Sequence, residues 1–431
     1  MRSYYDLISH EGNQSLFKAI EMSIAAQVNH YPLHFHVEGL RGTGKTTIIR
    51  AAKSILPPII RIKGCCYNCH PTSPHCPEHR YLSSIDVQKL GTEIVPRPFL
   101  EISHSAKIGT VVGSIDLGKL TDSNNPAAAL LPGTIPRAHR GIIFIDEINR
   151  LADTSPELAD MLLDLMGTKP GRVQIEETGL ATVELPLSVS IWAASNPDED
   201  PGPLQQIRKQ LSDRFDLNVY MGRPQKIDTV RNILIQKNNY SNKKEKHQEL
   251  QVGDLREIVI HPHITDILAG IYIEFGIESL RAVEALELAA KLLSLQTGRK
   301  SVTIADISQI VPLVLSHRVD AGTIEKILVY LRNLELQNEK EPCKTKSMIQ
   351  VELKKTSPKY SWVKSFWENV RKKLSTNRGG LSGNHSADND NNQSSGQSTL
   401  NCPSSNSIAP PKRATPLEEL PNEKIISVDT K

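Results

Sequence analysis

The chain has 431 residues, enough for two or three domains with well-buried cores, so size excludes little. Its 51 lysines and arginines against 48 aspartates and glutamates leave a formal net charge of +3, which gives no global argument for nucleic acid or an acidic membrane surface. No run approaches the roughly 20 apolar residues of a membrane span, and the first residues (MRSYYDLISHEGNQ) lack the apolar core of a signal peptide, so the expectation is a cytoplasmic protein with no transmembrane segment and no nucleic-acid partner.

Residues 1–32 read as a lead-in helix, with Leu16, Ile20, Ile24 and Val28 at intervals of four. The alternating stretch 33–37 (LHFHV) then predicts a short strand that enters EGLRGTGKTT at 38–47, where Gly39, Gly44, Lys45 and Thr46 fit GxxxxGK[ST] at every required position. Glycines let backbone N–H groups turn inward around phosphate oxygens. Lys45 can reach the β- and γ-phosphates, and Thr46 offers its hydroxyl to Mg²⁺. The candidate nucleotide-binding set is Gly39, Gly42, Thr43, Gly44, Lys45, Thr46 and Thr47, completed by Asp146 further on. Apolar residues at helical spacing over 47–56 place the loop at a helix start, and Pro57 and Pro58 stop that helix before a second buried strand at 59–62.

The segment 64–80 (GCCYNCHPTSPHCPEHR) is too rich in Pro, Cys and His for a regular element, and it holds four of the six cysteines. In a reducing compartment such clustering suggests a metal site more than a disulfide framework. The spacing Cys66-x2-Cys69-x6-Cys76-x2-His79 supplies four ligands suited to tetrahedral Zn²⁺, with Cys65, His70 and His75 as spare donors. An all-cysteine set of Cys65, Cys66, Cys69 and Cys76 would instead suit an iron–sulfur cluster, and a loop with unligated thiols is the third alternative.

After VVGSIDL (111–117) and the polar linker TDSNNP, GIIFIDEINR at 141–150 predicts a buried strand ending in Asp146 and Glu147. Asp146 can hold Mg²⁺ and Glu147 can polarise the attacking water. An amphipathic helix at 158–165, a β-hairpin at 172–186 around Thr178-Gly179, and a buried strand at 189–194 tipped by Ser195-Asn196-Pro197 follow. Asn196 there can position the lytic water. Residues 204–216 bring Arg208 and Arg214 just before a last strand, LNVYM. From about 226 the periodicity is helical, with Arg281 opening a long helix. Beyond 336 only 360–374 keeps an amphipathic pattern, and the remainder has the composition of a disordered tail.

In this order the features resemble the ATPase subunit of magnesium chelatase (I-subunit type) within the AAA+ superfamily. The shared blocks include GLRGTGKTT at 39–47, YNCHPTSP at 67–74, VVGSIDL at 111–117, PGTIPRAHRGIIFIDEIN at 132–149, SNP at 195–197, LSDRFDL at 211–217 and LSHR at 315–318. The resemblance implies an α/β fold: an AAA+ P-loop core over 1–225, with a parallel sheet flanked by helices, then an all-helical lid domain over 226–336 and a tail over 337–431. It implies a Mg-dependent ATPase working as an oligomeric ring, a hexamer, in which Asn196 looks like sensor 1, Arg214 like the arginine finger and Arg281 like sensor 2. Partners implied are an integrin-domain (VWA) chelatase-type subunit and a large catalytic subunit that inserts metal into a tetrapyrrole. The alternative reading with the same chemistry is a MoxR-like remodelling ATPase acting on an integrin-domain protein. The cysteines of 65–76 depart from the family pattern, so a metal there would be a local addition.

Overall fold

Five strands build one parallel sheet: β1 (Phe35–Gly39), β2 (Phe99–Ile102), β3 (Ile142–Asp146), β4 (Ser190–Ser195) and β5 (Leu217–Met221), in the spatial order β5-β1-β4-β3-β2. The computed structural model describes residues 3–115, 130–175, 183–238, 250 and 252–340. β3 is continuously apolar because helices and loops cover both faces of the sheet. Ile142 and Phe144 join a cluster with Leu16, Ile20 and Ile24 and the C-terminal helices, whereas Ile143 and Ile145 join a second cluster on the other face. Parallel register brings the strands' carboxyl ends to one edge, since Glu38 pairs with Ser195 and Ala194 with Asp146.

The N-terminal helix is shorter than expected, running over Gln14–Val28 after a 3₁₀ turn at Tyr4–Asp6. Residues 8–13 form a loop stitched by Asn13, whose amide oxygen accepts from the His10 backbone at 2.8 Å and whose amide nitrogen donates to the Ile8 carbonyl at 3.1 Å. The loop closes onto the end of β5, where the Gly222 amide donates to the Gly12 carbonyl at 2.8 Å. A side chain at Gly12 would meet that neighbour at 2.6 Å.

The strand at Ile59–Ile62 forms, but outside the main sheet. It pairs antiparallel with Thr92–Val95 as a separate ribbon, and Ile60 and Ile94 face solvent. The Cys/His segment between them returns the chain on itself, which explains a local antiparallel partner in place of a central position. VVGSIDL likewise contributes Gly113–Ile115 to an antiparallel pair with Leu130–Pro132. The expected hairpin pairs Gly171–Ile175 with Val183–Leu187, while its turn at Thr178-Gly179 lies outside the described residues.

The helical region comprises Ile227–Asn238, Pro262–Glu274, Leu280–Gln296, Ile304–Leu315 and Ala321–Lys340. Its apolar faces share the first cluster with β1, β4 and β5. The last helix runs past 336 to Lys340, and the segment 360–374 lies outside the described residues. Among the described residues no helix is long and apolar enough to cross a membrane.

Candidate active site

The phosphate loop leaves β1 at Gly39, where a Cβ would sit 2.5 Å from the Met221 carbonyl, so only glycine lets β1 and β5 approach at this point. Gly42 and Gly44 take φ of +75° and +95°, the left-handed region, and the helix Lys45–Ala51 begins directly after them. Thr43 closes the turn, its hydroxyl donating to the Leu40 carbonyl at 2.9 Å.

Lys45 is buried, with 6% of its surface exposed. Its ammonium donates to the carbonyls of Gly39 and Leu40 and, at 2.7 Å, to Asn196 Oδ1. All three acceptors are uncharged. Burial pulls this ammonium below its ordinary pKa, and the carboxylates of Asp146 and Glu199 oppose the shift. Beside it, the Thr46 hydroxyl donates to Asp146 Oδ2 at 3.0 Å. Two hard oxygen donors are thus adjacent at the ends of neighbouring elements, a donor set suited to Mg²⁺.

Glu147 caps the helix Ile148–Thr154 with φ +55° and ψ +49°, an uncommon backbone conformation for a glutamate. This turn directs the chain away from β3 directly after Asp146, and the half-buried carboxylate lies 3.3 Å from Arg150 and 3.8 Å from His104. Structure therefore gathers Gly39, Gly42, Thr43, Gly44, Lys45, Thr46, Thr47, Asp146, Glu147 and Asn196 at the carboxyl edge of the sheet. Sequence reading missed Glu199, which holds Arg41 at 2.9 Å and Arg150 at 3.6 Å. The only signal was the acidic run Asp198-Glu199-Asp200 after the Asn-tipped strand.

A cleft of about 840 Å³ opens beside the loop. Gly42, Thr43 and Gly44 form one wall, and Ile8, Pro224, Val230 and Ile233 bring apolar surface to the rest beside the polar His10, Asn13, Arg41 and Arg223. The N-terminal residues were also missed, because their place depends on the stitching to β5 and not on any motif.

Arg214 and Arg281 stand elsewhere. Phe35 pairs with Leu217 and Gly39 with Met221, so Arg214, just before β5, is at the amino edge, about 16 Å of strand length from the phosphate loop. Burial and the neighbouring Arg281 guanidinium lower the Arg214 pKa, and Asp213 and Asp164 offset them. Among the described residues no carboxylate lies within ion-pair distance of Arg214, whereas Arg208 is engaged by Asp160 at 2.8 Å. Arg281 reaches Asp213 at 3.8 Å.

Arg318 of the LSHR block holds this corner. With its side chain 5% exposed, it donates to Asp213 Oδ1 at 3.1 Å and to the carbonyls of Asp213 and Phe215 at 2.8 Å each. Arg318→Ala is expected to lower the unfolding free energy by about 1.5–3 kcal/mol, the range for hydrogen bonds involving a charged group. Denaturant midpoints would check it, and Arg318→Lys should recover only part, since an ammonium cannot span three divergent acceptors.

In the Cys/His segment, Cys65, Cys69, Cys76 and His79 bring one ligand atom each to within 4.8 Å of one another. Cys66 is exposed and does not join them, whereas its neighbour Cys65 is buried and does. The spare donor His70 turns to Thr72 instead, at 2.7 Å.

Two family models match the chain: magnesium chelatase, subunit ChlI, over residues 6–202, and the AAA lid domain over residues 266–327. With the sheet order and the helical region, these identify the fold as an AAA+ core followed by a helical lid. The 38 kDa magnesium-chelatase subunit of Acidiphilium rubrum is 30% identical over 311 residues, covering 68% of this chain and 86% of that protein. The ChlI subunit of Nephroselmis olivacea is 28% identical over 307 residues, covering 68% and 82%. A solved assembly of the magnesium-chelatase subunits BchI and BchD contains a chain 24% identical, with a TM-score of 0.41 and coverage of 75% of this chain and 98% of that one.

Proposed function

The chain belongs to the magnesium chelatase ChlI family, and on that premise we propose that it is an ATP-hydrolysing motor whose active sites form between neighbouring copies of the chain. The observation that carries this reading is the separation of Lys45 and Arg214 at opposite edges of one parallel sheet. An arginine with no carboxylate at ion-pair distance among the described residues, and too far to serve its own phosphate loop, suits the phosphates of an adjacent subunit in a closed ring. Arg281 lies with Arg214, so the lid's arginine acts from the same side. In this reading residues 1–225 are the nucleotide-binding core, 226–336 are the lid, and the ring is a hexamer.

Within one site the cleft by Ile8, Pro224 and Ile233 takes the base, and the loop from Gly39 to Thr47 cradles the phosphates. Thr46 and Asp146 would hold Mg²⁺, which when bound neutralises charge on the phosphate oxygens. Lys45 exchanges its neutral carbonyl acceptors for phosphate oxygens. Asn196 follows β4 directly and accepts from Lys45, and its amide orients the attacking water. Water adds to the γ-phosphorus as the bond to the β-phosphate oxygen breaks, ADP leaves with the bonding pair, and the water's proton passes to Glu147.

The work done with this energy is metal insertion into a tetrapyrrole, carried out with an integrin-domain subunit and a large catalytic subunit. Glu147→Gln is expected to keep ATP affinity and lose about 10²- to 10⁴-fold in turnover, the usual contribution of a general base. The trapped ATP-bound ring then serves as bait. Co-purification of an integrin-domain subunit with a tetrapyrrole-binding one supports chelation, while recovery of an integrin-domain protein with a different client assigns the motor to remodelling. Turnover equal to wild type in the variant would remove Glu147 from the mechanism.

A further inference from the structure

We propose that Cys65, Cys69, Cys76 and His79 form a closed, tetrahedral Zn²⁺ site that pins the ribbon carrying them to the segment leading into β3. The four ligand atoms lie within 4.8 Å of one another, and all four side chains are buried. A tetrahedron with Zn–S of about 2.3 Å and Zn–N of about 2.0 Å has edges of roughly 3.5–3.8 Å, so a single ion fits by small rotations of the side chains.

The backbone is already shaped for metal-bound sulfur. Cys69 Sγ accepts from two amides, those of His75 at 3.3 Å and Cys76 at 3.4 Å, which stabilises a thiolate there. Nδ1 of His79 lies 3.0 Å from Cys76 Sγ, presenting the ring edge to the same centre. The turn between the first two cysteines depends on Asn68, at φ +54°. Its side chain accepts from Arg61 at 2.8 Å and donates to the Arg137 carbonyl at 2.7 Å.

Three thiolates and a neutral imidazole around Zn²⁺ leave one net negative charge, and Arg140 lies close enough for its charge to interact with that of Cys69. With four protein ligands and no open position the site is structural and not catalytic. The all-cysteine iron–sulfur set would need a fourth thiolate, and the exposed Cys66 does not join the group. The attachment to the nucleotide site is short. Arg140 donates to the Ile60 carbonyl at 2.6 Å, and the His139 ring packs against that of His75 with centroids 3.9 Å apart and planes tilted by 36°; His139 and Arg140 come just ahead of β3, which has Asp146 at its end.

Elemental analysis of the full-length protein, purified without chelators, should find about one zinc per chain. Cys69→Ser and Cys76→Ser should lose most of it, and Cys66→Ser should keep it. Co²⁺ exchanged into the wild-type protein gives a second readout that does not depend on the folding of the variants, with the intense visible bands of a tetrahedral ion and a thiolate charge-transfer band in the near ultraviolet. Four results would each overturn the site: wild-type protein free of zinc, zinc retained by folded Cys69→Ser, a disulfide among Cys65, Cys69 and Cys76, or iron with acid-labile sulfide. None of these readouts depends on ATP turnover.

Discussion

Lys45→Ala is expected to weaken nucleotide binding by roughly 10- to 150-fold and to leave no measurable hydrolysis. The affinity range follows from about 1.5–3 kcal/mol for hydrogen bonds made by a charged donor, at 1.4 kcal/mol per tenfold. The loss falls on phosphate because the acceptors of Lys45 among the described residues, the Gly39 and Leu40 carbonyls and Asn196 Oδ1, are all neutral, so no ion pair there competes with the incoming charge. Lys45→Arg should be nearly as damaging. A planar fork does not fit where a compact ammonium lies between Gly39 and Asn196. Titration with a fluorescent ATP analogue, beside an unfolding curve to show that the variant is folded, measures both. Affinity within twofold of wild type in Lys45→Ala would take the phosphate loop out of the proposed mechanism.

The phosphate loop was legible because its chemistry is local. Gly42, Gly44, Lys45 and Thr46 are fixed by one turn, and the strand and helix around them are short-range consequences of LHFHV and TIIRAA. β3 was equally plain, as four apolar residues in succession need cover on both faces. The Ile59–Ile62 strand was legible as a strand but not in its pairing, because IIRI is compatible with a central position and only the return of the chain at Thr92–Val95 decides otherwise. Ligand choice in the Cys/His segment failed to emerge from spacing for a related reason. Cys65 and Cys66 are adjacent, so spacing does not say which of the two joins Cys69, Cys76 and His79. The cleft wall at Ile8 and His10 has no pattern at all before Gly12 meets Gly222 across more than half the described core.

Arg281 illustrates how far a motif carries. Sequence placed it at the start of a long helix after GIES, and the structure does find it there, in Leu280–Gln296. What sequence could not give is its company. It lies by Asp213 and Arg214, an arrangement set by Arg318 gripping the segment between Asp213 and Phe215 from the lid. The lid and the segment bearing Arg214 are thereby joined, so a lid movement is expected to displace Arg214 as well.

Arg214→Ala is expected to bind ATP as wild type does and to lose about 10³- to 10⁵-fold in turnover, the usual worth of an arginine that stabilises transferred phosphoryl charge. The split between binding and turnover follows from position, since Arg214 is separated from its own phosphate loop by the length of the sheet and contributes nothing to holding nucleotide there. A mixture of two inactive variants gives the stronger test. Lys45→Ala subunits lack a working phosphate loop but keep Arg214, and Arg214→Ala subunits have the opposite defect. In a ring assembled from equal amounts, roughly a quarter of the interfaces would pair an intact loop with an intact arginine, so hydrolysis should return to about that fraction of wild type if sites fire independently. Activity that stays at the level of the separate variants, in rings shown to contain both, would place Arg214 outside the neighbour's site. Recovery would also fix which edge of the sheet faces which in the ring, because only contact between the amino edge of one subunit and the carboxyl edge of the next brings Arg214 to Lys45 and Thr46.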